Sequence, residues 1–416
     1  MNPAIFGTFD IGNFGDLMFP IIAERKLSEL GTVELNRFSY RFKRSDSWFY
    51  DVETIQDFPK FIESTSVVII GGGHLVHFSR FVAQGYVPTD DRIPHPFGFW
   101  WVPAVAARMA GIPVALNAVS VHPHQPRWAE PLMRCFVDSL DYVAVRDVQS
   151  KARLQRYASG DTEVQVVPDT VHSISDLVTR GHHSMEYRKL LAAAGIESDY
   201  IIVQPATGLR RYTDSIRRLI ADARAQGLDV LEVPIFAETV DVEGIYQTSE
   251  DVKHLNEWPD PLLLAEVIAN ARAVIGISLH LAIVASAYGV PVHFPAYSPE
   301  SKFVALDGLP NIVPLDSSKR LSLKDPGEAD ISVVEQRKVR VNAHWKRIHE
   351  LSRSAMSPKC RGWDQILETP AAFKRAAGIR GSLEGVRLDA TGSRRLAVHA
   401  ALNVLVPQLG RRGNRR

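Results

Sequence analysis

Short apolar runs alternate with stretches of helical spacing over most of the first 300 residues, and this alternation restricts the fold more than any other feature. Residues 4–9, 33–38, 66–70, 113–119, 142–145 and 164–167 read as strands, and so do 200–204, 229–234, 273–277 and 290–294. Between them, apolar residues recur every three or four positions, as in Leu17, Ile21, Ile22 and Leu27. Several helical stretches close at a glycine, among them Gly31, Gly111 and Gly227. Strands apolar on both faces belong to parallel sheets covered by helices on both sides, with right-handed crossovers. The expectation is an α/β chain.

The pattern runs in two series, separated by a more polar stretch over 172–198. A chain of 416 residues exceeds one ordinary core and suits two. We expect Rossmann-like parallel-sheet domains over 1–175 and 176–335, then a helix near 334–354. A basic tail, partly disordered from 378 to 416, follows. Residues 337–416 carry 18 Lys/Arg against 5 Asp/Glu, leaving the rest of the chain at −12 of a total of +1. That end could touch anionic lipid at the inner face of a membrane, or be a solvated helical surface and frayed end. No nucleic-acid motif accompanies the charge.

Hydrophobic residues at 45% and charged residues at 23% are ordinary for a globular protein. Cys135 and Cys360 lie far apart and match no zinc or redox spacing, so free thiols in a reducing, cytoplasmic setting are expected. The first residues lead straight into a strand without a basic region or cleavage site, so no secretory signal is expected. The most apolar stretches are too short or too interrupted to span a bilayer. His122 and His124 stand two apart in a loop, which is too little for a metal, and no cofactor is expected.

In parallel-sheet folds, ligands gather at the carboxyl ends of the strands. Four groups sit there. Gly12-Asn13-Phe14-Gly15-Asp16 opens a helix whose N-terminus offers unpaired N–H groups, and Asp16 either faces a ligand or caps the helix. Gly71-Gly72-Gly73-His74 follows an apolar strand, where three glycines suggest close backbone approach, and His77 is near. Arg146-Asp147 and Pro168-Asp169 end the next two strands. Asp147 fits an N-cap, Arg146 an internal ion pair, and Asp169 a histidine partner or the domain junction. Finally, Gly276-Ile277-Ser278-Leu279-His280 aims an imidazole into the cleft, where it could serve as a general acid or base.

Taken in order, Gly-Asn-x-Gly-Asp, Ile-Gly-Gly-Gly, Arg-Asp and Pro-Asp resemble the polysaccharide pyruvyl transferase family. So does the block from Leu264 through Gly276 and His280 to Gly289-Val290-Pro291-Val292, with Lys302 beyond it. The resemblance spans residues 5 to about 303. It implies a GT-B-like pair of Rossmann-type domains and transfer of a pyruvyl group from phosphoenolpyruvate onto two hydroxyls of a sugar, forming a ketal. The sugar would belong to a bacterial polysaccharide, such as an exopolysaccharide, or its precursor. His280 matches the histidine of the family's Arg-Leu-His and takes the role of general acid, with Leu279 before it. Donor binding would fall to this segment and Lys302. Asn13, Gly15, Asp16, Gly72, Gly73, His74, Arg146 and Asp169 would line the acceptor side of the cleft.

One position departs. Ser278 stands where the family carries an arginine, and a serine cannot replace a bidentate guanidinium. Either another cation clamps the donor, with Arg210 and Arg211 as candidates, or the donor differs. The alternatives are a GT-B-like glycosyltransferase using a nucleotide sugar, and a non-catalytic member that lost its clamp.

Overall fold

The computed structural model describes residues 2–32, 34–78, 97–160, 162–237, 252–315, 323 and 331–354. The chain forms two parallel sheets. The first contains β1 (Asn2–Phe6), β2 (Asn36–Ser39), β3 (Glu53–Thr54), β4 (Thr65–Ile70), β5 (Val114–Val119), β6 (Tyr142–Val145) and β7 (Val164–Val166). Its order is β3-β2-β1-β4-β5-β6-β7. The second contains β8 (Tyr200–Val203), β9 (Asp229–Glu232), β10 (Lys253–His254), β11 (Ala273–Ile275), β12 (Val292–Pro295) and β13 (Ile312–Leu315), in the order β10-β9-β8-β11-β12-β13. Each sheet starts in its middle, winds outward one way, then returns to wind the other. The reversal falls between β1 and β4 in one half and between β8 and β11 in the other. A crevice opens at the carboxyl ends of the strands at such a reversal.

The interleaved helices are α1 (Phe14–Glu29), α2 (Phe97–Met109), α3 (Glu130–Ser139), α4 (Val148–Gln155), α5 (Met185–Ala193), α6 (Thr213–Ala225), α7 (Pro261–Ala269), α8 (Leu279–Ala287) and α9 (Ser332–Ser352). Gly31, Gly111 and Gly227 follow the ends of α1, α2 and α6 with φ of +93°, +73° and +75°, the left-handed C′ conformation read from the sequence. The stretch over 172–198 holds α5, whose apolar face (Tyr187, Leu190, Leu191) is short enough to be hidden among polar neighbours. Edge strands β3 and β10, two residues each, escaped the sequence reading, as did β13 past Pro310.

One apolar cluster runs between the halves. It joins Leu17, Phe19 and Ile22 of α1 to Leu264 and Ile268 of α7, Ile283 of α8, and Trp345 and Ile348 of α9. Each such fully buried side chain contributes about 1.5–3 kcal/mol relative to exposure. Separate clusters cover the outer face of each sheet.

Backbone bonds add to this junction. Phe14 N–H donates to the Ile235 carbonyl at 3.1 Å and Ala237 N–H to that of Gly12 at 2.8 Å. A Cβ on Gly12 would lie 2.4 Å from that of Ala237. Gly12 therefore serves close approach of the halves, where the sequence suggested room for a ligand.

Helix α9 crosses back to the first half. Buried His344 bonds Tyr142 Oη at 3.0 Å and Asn117 Oδ1 at 2.9 Å, and Asn117 Nδ2 donates to the Gly71 carbonyl at 3.2 Å. Its basic residues are used internally as well: Arg337 donates to the Ala305 carbonyl at 2.8 Å and Lys338 pairs with Asp176 at 2.8 Å. Part of the charge read as a partner surface thus belongs to the fold. The tail from 355 to 416, with Cys360, lies outside the described residues. Cys135 is buried, and burial pushes its thiol up to about 11.

Candidate functional site

The two reversal points face one another. Residues 8–16 after β1 and 71–74 after β4 come from one half, and 276–280 after β11 from the other. Helix α1 begins at Asn13, whose side chain accepts from Gly15 N–H at 3.1 Å. Asn13 is thus the N-cap, and Asp16, read as a possible cap, lies in the first turn. Helix α8 begins likewise at Ser278, whose hydroxyl accepts from Leu281 N–H. Gln204 Oε1 accepts from Ile277 and Ser278 N–H, both at 2.9 Å, and pins this turn.

His280, in the first turn of α8, reaches across to the first half. Its ring lies on Gly15: a Cβ there would stand 1.6 Å from Nδ1. Phe19 meets the ring edge-on at 5.4 Å. Nε2 lies 3.6 Å from Asp169 Oδ2, near enough for Coulomb attraction but too far for a hydrogen bond, and is shielded without a partner. Asp169 also accepts from Arg146 Nη1 at 3.0 Å and Val171 N–H at 3.1 Å. Burial alone would raise its carboxyl, but His280, Arg146 and the amide outweigh that and hold it below the usual range. Asp169 therefore has a histidine partner and an internal arginine at once. Asp147 is an N-cap, accepting from Ser150 N–H at 2.6 Å.

The chain of contacts continues to the glycine loop. Arg146 Nη2 donates to Ser120 Oγ at 3.1 Å, and Ser120 Oγ lies 2.5 Å from His74 Nδ1. Burial, then neighbouring His77 and His122, push the His74 imidazole well below its ordinary value, so it stays neutral at neutral pH. Ser120 was missed because a lone serine after a strand carries no pattern. It is aimed by Ala118, whose left-handed φ of 45° accompanies a register shift in β5.

Asp16 and Lys302 complete the cluster. Gly73, at φ +86°, leaves the Asp16 carboxylate uncovered: a Cβ there would approach Oδ1 to 3.2 Å. Burial raises the Asp16 carboxyl against the opposing pull of His280, the Thr8 hydroxyl, Lys302 and Arg146. Lys302 is exposed as a residue, while the protein packed about its ammonium, followed by Arg146, lowers it. Asp16, His74 and His280 are likewise partly accessible, whereas the side chain of Arg146 is 1% exposed. The arrangement is a partly accessible polar recess over a buried Arg146–Asp169 pair.

Other expected positions fall differently. The space over Gly72 is filled by the Phe19 ring, 2.4 Å from where a Cβ would stand. Leu279 is buried in the core at 3%, leaving only its backbone at the helix start. The Ser278 hydroxyl is occupied as a cap. Arg210 and Arg211 are exposed on the turn after β8, where Arg211 lies over Tyr212 at 4.8 Å, and Gly208 of that turn abuts Ile277. Among the described residues, no group of three or more His, Cys, Asp or Glu is placed to hold a metal. No helix among them is long and apolar enough to cross a membrane. A cavity of about 820 Å³ lies at the far end of the first sheet, lined by Arg108, Asp141, Tyr142 and Glu163. It opens at the amino ends of β6 and β7, away from the convergent polar groups, so the recess is the stronger candidate.

Two doubly wound sheets meeting across strand-end loops define a GT-B-like α/β architecture. UDP-GlcNAc 2-epimerase from Methanocaldococcus jannaschii shares this fold, with a TM-score of 0.50 at 13% identity over 81% of this chain and 99% of that one. That from Neisseria meningitidis gives 0.49 at 10% identity over 89% and 99%. A search of curated proteins gave no match. Residues 13–299 match the family described as Polysaccharide pyruvyl transferase. The chain belongs to that family, and is a transferase.

Proposed function

We propose that the recess transfers a pyruvyl group from phosphoenolpyruvate to two hydroxyls of a sugar in a bacterial polysaccharide or its precursor. The observation that carries this reading is the position of His280: it comes from one half, lies on Gly15 of the other, and is backed by Asp169 and Arg146. Such a site needs an acid for the donor methylene and fixed positive charge for its anions. Protonated His280 is the acid. Asp169 is a positioning residue, its carboxylate 3.6 Å from Nε2 of the ring.

Lys302 is the cation that reaches the donor, and Arg146 supplies potential from beneath. This answers the loss of the arginine at Ser278, whose hydroxyl is engaged in capping, without recourse to Arg210 and Arg211. Because Nε2 is shielded as the ring now lies, the reaction requires the imidazole to swing from Gly15 toward the donor. A cofactor is not needed for these steps. Membrane contact by the basic tail is a separate question that truncation after residue 354 would answer.

The test is phosphate release from phosphoenolpyruvate with a panel of methyl hexopyranosides and nucleotide sugars. Release that depends on an acceptor, and falls about 10²–10⁴-fold in His280→Ala, is expected. No release with any acceptor, together with binding of nucleotide sugars alone, would favour the glycosyltransferase alternative.

A further inference from the structure

We infer that Asp16 is the general base that takes the proton of the first attacking sugar hydroxyl; this rests on the pyruvyl-transfer reading above. Proton accounting requires such a group. Addition of a hydroxyl across the donor double bond delivers a proton to C3 while another leaves the attacking oxygen. One side chain cannot hold the first proton and be empty for the second at the same moment. The site therefore needs two groups in opposite protonation states.

The geometry supplies two carboxylates beside His280. Asp169 is already engaged: it accepts from Arg146 and the Val171 amide, and its side chain is fully buried. Asp16 is different. It is partly open to the recess, faces a glycine whose missing side chain leaves room over Oδ1, and follows the residue on which the His280 ring lies. Thr8 bonds its carboxylate, and the charged groups facing it are His280, Lys302 and Arg146, with Tyr50 behind. Acid and base thus stand on adjoining parts of one wall, with the ammonium of Lys302 placed to hold the donor's anions.

The steps balance. The first hydroxyl oxygen bonds to C2 of the donor, the C2–C3 π pair takes a proton from His280, and the hydroxyl proton passes to Asp16. The C2–O bond to phosphate then breaks, the phosphate keeping the bonding pair and receiving the proton held by Asp16. The second hydroxyl bonds to C2 and yields its proton to His280. The ketal and phosphate leave, and both side chains return to their starting states.

The experiment compares the full-length wild type with Asp16→Asn and Asp16→Glu, using phosphoenolpyruvate and the methyl hexopyranoside that wild type accepts best. In Asp16→Asn, calorimetric affinity for phosphoenolpyruvate is expected within a few-fold of wild type, with kcat lower by about 10²–10⁴-fold. The acidic limb of kcat/KM should vanish with it. Asp16→Glu, which keeps the carboxylate, should recover part of the rate and the limb, and serves if the asparagine variant fails to fold. Near-normal kcat in Asp16→Asn, or an unchanged limb, would overturn the role of Asp16 while leaving pyruvyl transfer intact. A wild type that neither binds phosphoenolpyruvate nor releases phosphate from it would overturn both.

Discussion

At the scale of single residues, the glycines carry an instruction that differs from the one expected of them. Glycines at strand ends suggest ligand contact, yet here they chiefly admit other parts of the protein. Gly12 admits Ala237, Gly72 admits Phe19, and Gly15 admits the imidazole of His280. Gly15→Ala is accordingly a local probe of the site. Its methyl would stand 1.6 Å from Nδ1, so the ring must leave its place against α1. We expect stability within about 1–3 kcal/mol of wild type, the usual cost of overpacking, and a kcat loss of about 100-fold, as for a misplaced catalytic group. Chemical denaturation and phosphate release measure the two; an unaltered kcat would mean that the ring's seat on Gly15 is unimportant. His280, Asp16 and Arg146 were visible beforehand because each sits at a strand end beside a glycine or an acidic neighbour. Ser120, Thr8 and Gln204 were not, because their roles depend on partners 26 to 74 positions away or on a loop's detailed path.

At the scale of elements, legibility followed burial. Strands β4, β5, β6, β8 and β11 are buried along nearly their whole length, so their sequences are almost continuously apolar and their limits fell within a few residues. The edge strands β3 and β10 are only two residues long and lean on one neighbour, which leaves no periodicity to read. Helix α5 hides its three buried residues in a polar stretch. The return of α9 to the first half was legible as a helix but not as a tie, since nothing in its sequence names Asn117 as the partner of His344. That tie matters to the site. His344 holds Asn117, which holds the carbonyl of Gly71, the first residue of the loop that faces Asp16 and carries His74.

At the scale of the whole molecule, the fold keeps several imidazoles neutral. Burial lowers His172 to about 3, His344 to about 3 and His293 to about 4, from an ordinary 6.5. Each is nearly inaccessible, at 0–2% exposure. An unfolded chain protonates these groups below pH 6.5 while the native one does not, so acid favours unfolding. Their stabilising contribution is complete above pH 6.5 and is lost as pH falls toward the folded values, at up to about 1.4 kcal/mol per pH unit for each histidine. A denaturation midpoint that drops steadily between pH 6.5 and 4.5 is therefore expected, and a flat midpoint over that range would contradict the burial of these rings.

Both halves build one recess, with His280 bridging them. A crystal structure of the protein soaked with phosphoenolpyruvate tests this most directly. The expected result is the donor between the halves, its anionic groups about 3 Å from Lys302 Nζ and the His280 ring turned from Gly15 toward the methylene. Donor bound at the far-end cavity near Arg108, or at the outer turn of Arg210 and Arg211 with His280 still seated on Gly15, would contradict it.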